Sequence, residues 1–453
     1  MRVLSEQNKE LYRTLGKVAV PIALQSLIGS SLNLVDNLMV GSLGESPLAA
    51  VGVSVQIYFV FYMICFGFSS GCATFMAQFW GAKNLTNIRK TVGFAITICL
   101  GIGLLFFIGG MFFPEYVLRI FTNIPETIDI GWKYVRAIAP CFLLYAAILP
   151  FEISLRATQQ THIPLVVSIV AFGTNTLLNY ILIFGHFGAP ALGVTGAGIA
   201  TSSSRLLQLA ILIVVIFVKK NVLAGSIKEF FCWSKDFAKK IVKNSVPTTL
   251  NESLWGLGMA MYTAAFARIG ITQYASIQAA NTIQNLFQMA AFSMGDAILI
   301  LVGQKLGQGK LQEAYKLARK LLKITVVIGI SFGLLLILLA KPIISLFNFT
   351  PLGNHYTFMI LLVYGLTMVL AVYNGVNITG VLRCGGDTKF AMFTEVSTVW
   401  IIGVPVAFVT ALVFHWPVFL CVLAVKFEEA VKCCVLTWRF LSKRWVNNVI
   451  DDM

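Results

Sequence analysis

Apolar runs of about 20 residues, each long enough to cross a hydrocarbon layer as a helix, recur along the whole chain. They fall near 16–40, 50–79, 92–113, 132–155, 164–185, 195–218, 246–268, 275–303, 321–340, 355–382, 391–413 and 416–438. Of the 453 residues, 58% are hydrophobic and only 12% charged. That charged share is about half the usual one for soluble domains. So much apolar surface cannot be hidden in a soluble core. The expectation is an all-α integral membrane protein with twelve transmembrane helices. The polar N-terminal segment "MRVLSEQNKELYRTLGK" runs straight into the first span and is not expected to be a cleavable leader.

The formal net charge is +15, which would suit nucleic acid if it were one patch. It is instead spread by topology. With twelve spans, 26 of the 34 Lys and Arg fall on the side holding both termini, and five on the other: Arg119, Lys133, Arg136, Arg268 and Lys341. The positive-inside rule then places both termini in the cytoplasm. No nucleic-acid partner is expected. Nine scattered cysteines without a CxxC, and four distant histidines, give no ligand spacing.

The two halves repeat. "VPIALQSL" from Val20 matches "VPTTLNES" from Val246, and the offset of 226 carries Pro21 to Pro247, Gly44 to Gly270, Gln78 to Gln304 and Gly81 to Gly307. "SLRATQQT" matches "VLRCGGDT" at offset 227, with Arg156 on Arg383. Six spans per half give both repeats the same orientation, related by an axis along the membrane normal. The expected organisation is an N-terminal six-helix lobe (1–218), a cytoplasmic linker (219–243) and a C-terminal six-helix lobe (244–453), with a cavity between the lobes and alternating access as its use.

Charge inside a span is the strongest functional pointer in such a chain. Asp36, Glu252, Asp296 and Glu395 lie well within spans. Glu152 stands four residues before Arg156, a spacing that suits a local ion pair. Glu428, Glu429, Lys426 and Lys432 can pair among themselves in span twelve. Around Asp36, the residues Gln25, Ser26, Gly29, Ser30, Asn33 and Asn37 share an arc of about 140°, a face that must turn toward protein or water. A stripe of small and amide residues can glue helices together, but glue does not explain a carboxylate.

Asn175 and Asn179 are four apart on span five, and Thr201 follows the small-residue run "GVTGAG" on span six. A carboxylate with amide and hydroxyl oxygens suits a hard monovalent cation such as Na⁺, and a desolvated carboxylate can also carry a proton. In the second half Tyr262 stands where Asp36 would be, and Glu252 matches Ser26. Glu252 is read as facing the cavity. Gln278, Asn281, Asn285 and Gln288 line one face of span eight. A GxxxxGK[ST] loop and HExxH are missing from the sequence. An enzyme is not expected, and energy must come from an ion gradient.

These segments resemble the multidrug and toxic compound extrusion (MATE) family: "VDNLMVGSLG" in span one, "AQFWGAKN" after span two, "SLRATQQTHIP" after span four, "GVTGAGIAT" entering span six and "NESLWGLG" in span seven. The last resembles the bacterial DNA-damage-inducible-type branch more than the eukaryotic one. The resemblance implies a V-shaped pair of six-helix bundles, acting as a monomer. Such a protein exports amphiphilic organic cations, drugs or toxic metabolites from the lipid environment in exchange for Na⁺ or H⁺, without a cofactor. It carries the cation-coupling role to Asp36, Asn175, Asn179 and Thr201. Second-lobe candidates are Glu252, by its place in span seven, with Gln278, Asn281, Asn374 and Asn377. Some members have aspartate where Asn179 stands, and span ten here has no acid, which speaks against a two-acid second site. Alternatives are a lipid-linked precursor flippase of the same superfamily and an ion channel.

Overall fold

The computed structural model describes residues 2–345 and 349–453, and the side chains from residue 9 onward within that range. Among the described residues there is no strand. The long helices are α1 (Arg2–Gly41), α2 (Glu45–Gly81) and α3 (Leu85–Phe112). A short α4 (Pro114–Arg119) precedes α5 (Pro125–Ala157), α6 (His162–Phe184) and α7 (Val194–Ile213). Then come the short α8 (Ile227–Phe231) and the long α9 (Lys235–Ala267), α10 (Ile271–Gly307), α11 (Leu311–Ile344) and α12 (Pro351–Val376). The end of the chain is more broken: α13 (Thr388–Ser397), α14 (Val404–Phe408), α15 (Val418–Val425) and α16 (Phe427–Leu441). Wide π-type turns at Asn377–Leu382, Thr398–Gly403 and Val409–Val413 extend these segments.

Ten helical stretches among the described residues are long and apolar enough to cross a membrane. The other two expected spans are also helical but more polar. One lies in α9, which carries Thr248, Thr249, Asn251 and Glu252. The other, 416–438, is two helices, with Lys426, Glu428, Glu429 and Lys432 around the break.

The chain parts into two compact units. One is Leu24–Ser245; the other is the start of α1, to Ala23, with Val246–Met453. Within the first unit α5 is the central helix, packed on α2, α3 and α7. Segment 219–243 belongs to this unit. Arg89 on α3 pairs with Glu229 at 2.7 Å and donates to the Val222 carbonyl at 3.2 Å. Phe94 meets Trp233 edge to face, with centroids 4.9 Å apart. Within the second unit, α12 is central and packs on α11, α10 and α16.

Candidate cation-coupling site

In the first unit α1, α6 and α7 bring together the four residues singled out from the sequence. Asn179 Nδ2 donates to Asp36 Oδ1 at 2.5 Å and to Asn175 Oδ1 at 3.1 Å. Asn175 Nδ2 donates to Thr201 Oγ1 at 3.3 Å, and the Thr201 hydroxyl donates to the Ala197 carbonyl at 3.0 Å. The i, i+4 spacing puts both asparagines on one face of α6. Gly196 lets α7 lie against α6: a Cβ there would press on the Leu182 carbonyl. Both asparagines are fully buried, Thr201 is nearly so, and Asp36 is half-buried. Asn33 and Asn37, on the same arc of α1, are exposed.

The amide of Asn179 sets the chemistry. Its two N–H bonds are spent on Asp36 and Asn175, and its Oδ1 is buried without a hydrogen-bond partner among the described residues. Such an acceptor is costly to leave bare. With Nδ2 toward Asp36 the amide serves an ionised carboxylate. Turned over, it would offer Oδ1 beside the carboxylate, a pair of oxygens suited to a hard cation or to a proton on Asp36.

Further along α1, Gln25 stands between Glu152 and Arg156. Its Oε1 accepts from Arg156 Nη2 at 2.7 Å and Nε at 3.2 Å, while its Nε2 donates to Glu152 Oε1 at 3.1 Å and to Ser168 Oγ at 3.0 Å. Gln208 Nε2 also donates to Glu152 Oε1, at 2.9 Å. Arg205 on α7 bonds Gln208 at 2.6 Å and lies over the Tyr145 ring, 4.8 Å from its centroid. Neither Arg205 nor Gln208 is among the residues singled out from the sequence. The signal was there: an arginine inside an apolar run is itself a functional pointer.

In the second unit the candidates do not form one cluster. Glu252 is not a lone cavity acid: it is ion-paired with Arg383, which is 1% exposed. This pair repeats Gln25 with Arg156, since the partners are 131 residues apart in both. The hydrogen-bond register therefore matches Glu252 with Gln25, one residue from the gapless offset that matched it with Ser26.

Asn374 Nδ2 donates to Glu429, at 2.7 Å to Oε2 and 2.8 Å to the backbone carbonyl. Lys432 lies 3.4 Å from Glu429 and 3.9 Å from Glu428, so span twelve does pair within itself. Tyr262, standing at the place of Asp36, donates its hydroxyl to Glu428 at 2.7 Å. Asn281 accepts from the Tyr364 hydroxyl at 2.6 Å. Gln278 donates to Tyr274 at 2.9 Å and is exposed, and Asn377 is buried.

Ten apolar crossing helices, a repeated scaffold, and polar networks buried within each unit define a multi-pass helical membrane transporter. The family model described as MatE matches residues 21–181 and 247–409, one segment in each half of the repeat. The chain belongs to this family of transporters and is not an enzyme. It is 25% identical over 412 residues to the probable multidrug resistance protein NorM of Thermotoga maritima, covering 90% of this chain and 88% of that one. It is 26% identical over 405 residues to the probable multidrug resistance protein YoeA of Bacillus subtilis, covering 88% and 87%. A crystal structure of a MATE protein in complex with MaL6 superposes with a TM-score of 0.85 at 17% identity, covering 95% of this chain and 96% of that one.

Proposed function

We propose that this chain is a secondary antiporter of the prokaryotic inner membrane, with both termini cytoplasmic. It exports drugs or other toxic, amphiphilic organic cations in exchange for Na⁺ or H⁺. The names of its relatives support export of drugs. The coupling role of Asp36 is supported by one observation: the carboxylate is held by Asn179 in a chain that continues to Asn175 and Thr201.

In this reading Asp36 alternates between a bound cation and the Asn179 amide. An inward-moving ion neutralises the carboxylate and takes the place of its hydrogen bond. Release of the ion restores that bond. The energetic difference between the two states is what lets a gradient bias the conformational equilibrium.

Reconstitution into liposomes tests it. A Na⁺ gradient and a pH gradient are imposed separately, and efflux of a fluorescent organic cation is followed. One of the two drives efflux, and Asp36→Asn removes that drive. If neither gradient drives efflux, the antiport reading fails. Full gradient-driven transport in Asp36→Asn would show that Asp36 is not the coupling group.

A further inference from the structure

The second unit contains an acid–amide pair that none of the roles above uses. Asn251 on α9 donates Nδ2 to Glu395 Oε2 on α13 at 2.7 Å. Asn251 is 2% exposed, and its Oδ1 is buried without a hydrogen-bond partner among the described residues. The pair echoes Asp36 and Asn179, with the acid and the amide exchanged between the earlier and the later helix. The sequence separations are 143 and 144 residues. Its nearest counterpart by register is Gln25 with Ser168, a neutral contact. In the first half the acid that Gln25 reaches is Glu152 of α5, and the position of Glu395 is held by Ser168.

The groups around Glu395 bear on its occupant. Glu252 of α9 lies nearby but is engaged by Arg383. Lys432 of α16 also lies nearby, engaged by Glu428 and Glu429. Each neighbouring cation thus has a carboxylate partner of its own, while among the described residues the Glu395 carboxylate is hydrogen-bonded to the Asn251 amide alone. A proton and a monovalent metal ion carry the same charge into this field, so the hydrogen-bonding groups and not the fixed charges favour a proton. Asn251 offers Glu395 one donor, already used, and one bare acceptor. A carboxylic acid presents the complement: an oxygen that accepts and a hydroxyl that donates.

We propose that Glu395 and Asn251 form a proton-binding site. On protonation, Glu395 Oε1 takes a proton from water and donates it as a hydrogen bond to Asn251 Oδ1, while the bond from Nδ2 to Oε2 stays. No other bond changes, and the uncompensated charge within the helical core disappears. This site is distinct from Asp36 and stands whether or not Asp36 couples transport.

Infrared difference spectroscopy on the full chain in liposomes tests it, comparing acid with alkaline samples in an Asp36→Asn background so that the first acid is silent. A protonated-carboxyl C=O band grows on acidification. Adding Glu395→Gln removes the intensity of one carboxyl, and Na⁺ at fixed pH leaves the band unchanged. An undiminished band after Glu395→Gln overturns the proposal, as does loss of the band on adding Na⁺, which would make the site a metal site. Asn251→Leu gives an independent decision should Glu395→Gln not fold. The band then persists and moves to higher wavenumber, because both hydrogen bonds on the carboxyl are gone. A band that does not move overturns the pairing. Gradient-driven efflux measured on Asp36→Asn alone reports on Asp36, so failure of either reading is recognised separately.

Discussion

Asp36 and Asn179 are 143 residues apart in sequence and joined by a hydrogen bond in which the amide, not the acid, is the donor. The direction of that bond ties the carboxylate to the rest of the network, because the second N–H of the same amide reaches Asn175.

Asn179→Leu therefore removes the donor of Asp36 and cuts Asp36 off from Asn175 and Thr201 in one change. We expect gradient-driven efflux to fall by about tenfold or more, equivalent to about 1.4 kcal/mol or more, with the protein still folded. Thr201→Val loses only the far end of the chain, and its effect is smaller. Initial efflux rates of the two variants, measured in the same liposome assay, check the order. Equal rates in Asn179→Leu and the parent would separate the network from coupling.

Arg383 and Glu252 form the ion pair that replaces the neutral Gln25 contact of the first half. Removing one partner leaves a buried charge alone, which costs about 3–5 kcal/mol, while removing both is often close to neutral. Arg383→Leu should lower the thermal unfolding temperature in detergent strongly. Arg383→Leu with Glu252→Leu should recover most of the loss. Additive losses in the double variant would show that the two side chains act separately.

How far the sequence could be read follows from what periodicity encodes. Runs of apolar residues place helices, and the i, i+4 spacing of Asn175 and Asn179 places both on one face of α6. Periodicity names a face, not the residue that meets it on another helix. The meeting of Asp36 with Asn179 was expected only through family resemblance. Gln25 stood on the polar arc of α1, yet its place between Glu152 and Arg156 depends on α5 packing beside α1, which spacing does not carry. Asn251 and Glu395 are 144 residues apart on separate helices, and nothing in the spacing joins them. The wide turns after α12 and α13 had no signal either: "NITGVL" and "TVWIIG" are as apolar as their surroundings.

Gly403 closes the wide turn Thr398–Gly403, and a Cβ on it would collide with Tyr262 Oη and Glu428 Oε2. Gly403→Ala must therefore open the Tyr262–Glu428 hydrogen bond or shift the turn, at about 1–3 kcal/mol. Tyr262→Phe removes the hydroxyl that the new methyl meets. The two changes should then couple, with Gly403→Ala costing less on the Tyr262→Phe background than on the parent. Thermal unfolding of the four proteins in the cycle gives the coupling directly, and strict additivity would place the collision elsewhere.

Cys232 is exposed and lies within the basic segment 219–243, which is cytoplasmic in the orientation proposed above. With the other cysteines replaced by serine or alanine, a membrane-impermeant maleimide should leave Cys232 unlabelled in intact cells. It should label Cys232 in inverted vesicles and after permeabilisation. A cysteine introduced in place of Arg119, one of the five basic residues expected on the opposite face, should show the reverse pattern. Arg119 is the last residue of the short helix α4 and lies over the Tyr116 ring. Labelling of Cys232 from outside intact cells would invert the orientation of every span, and with it the direction in which Asp36 meets the gradient.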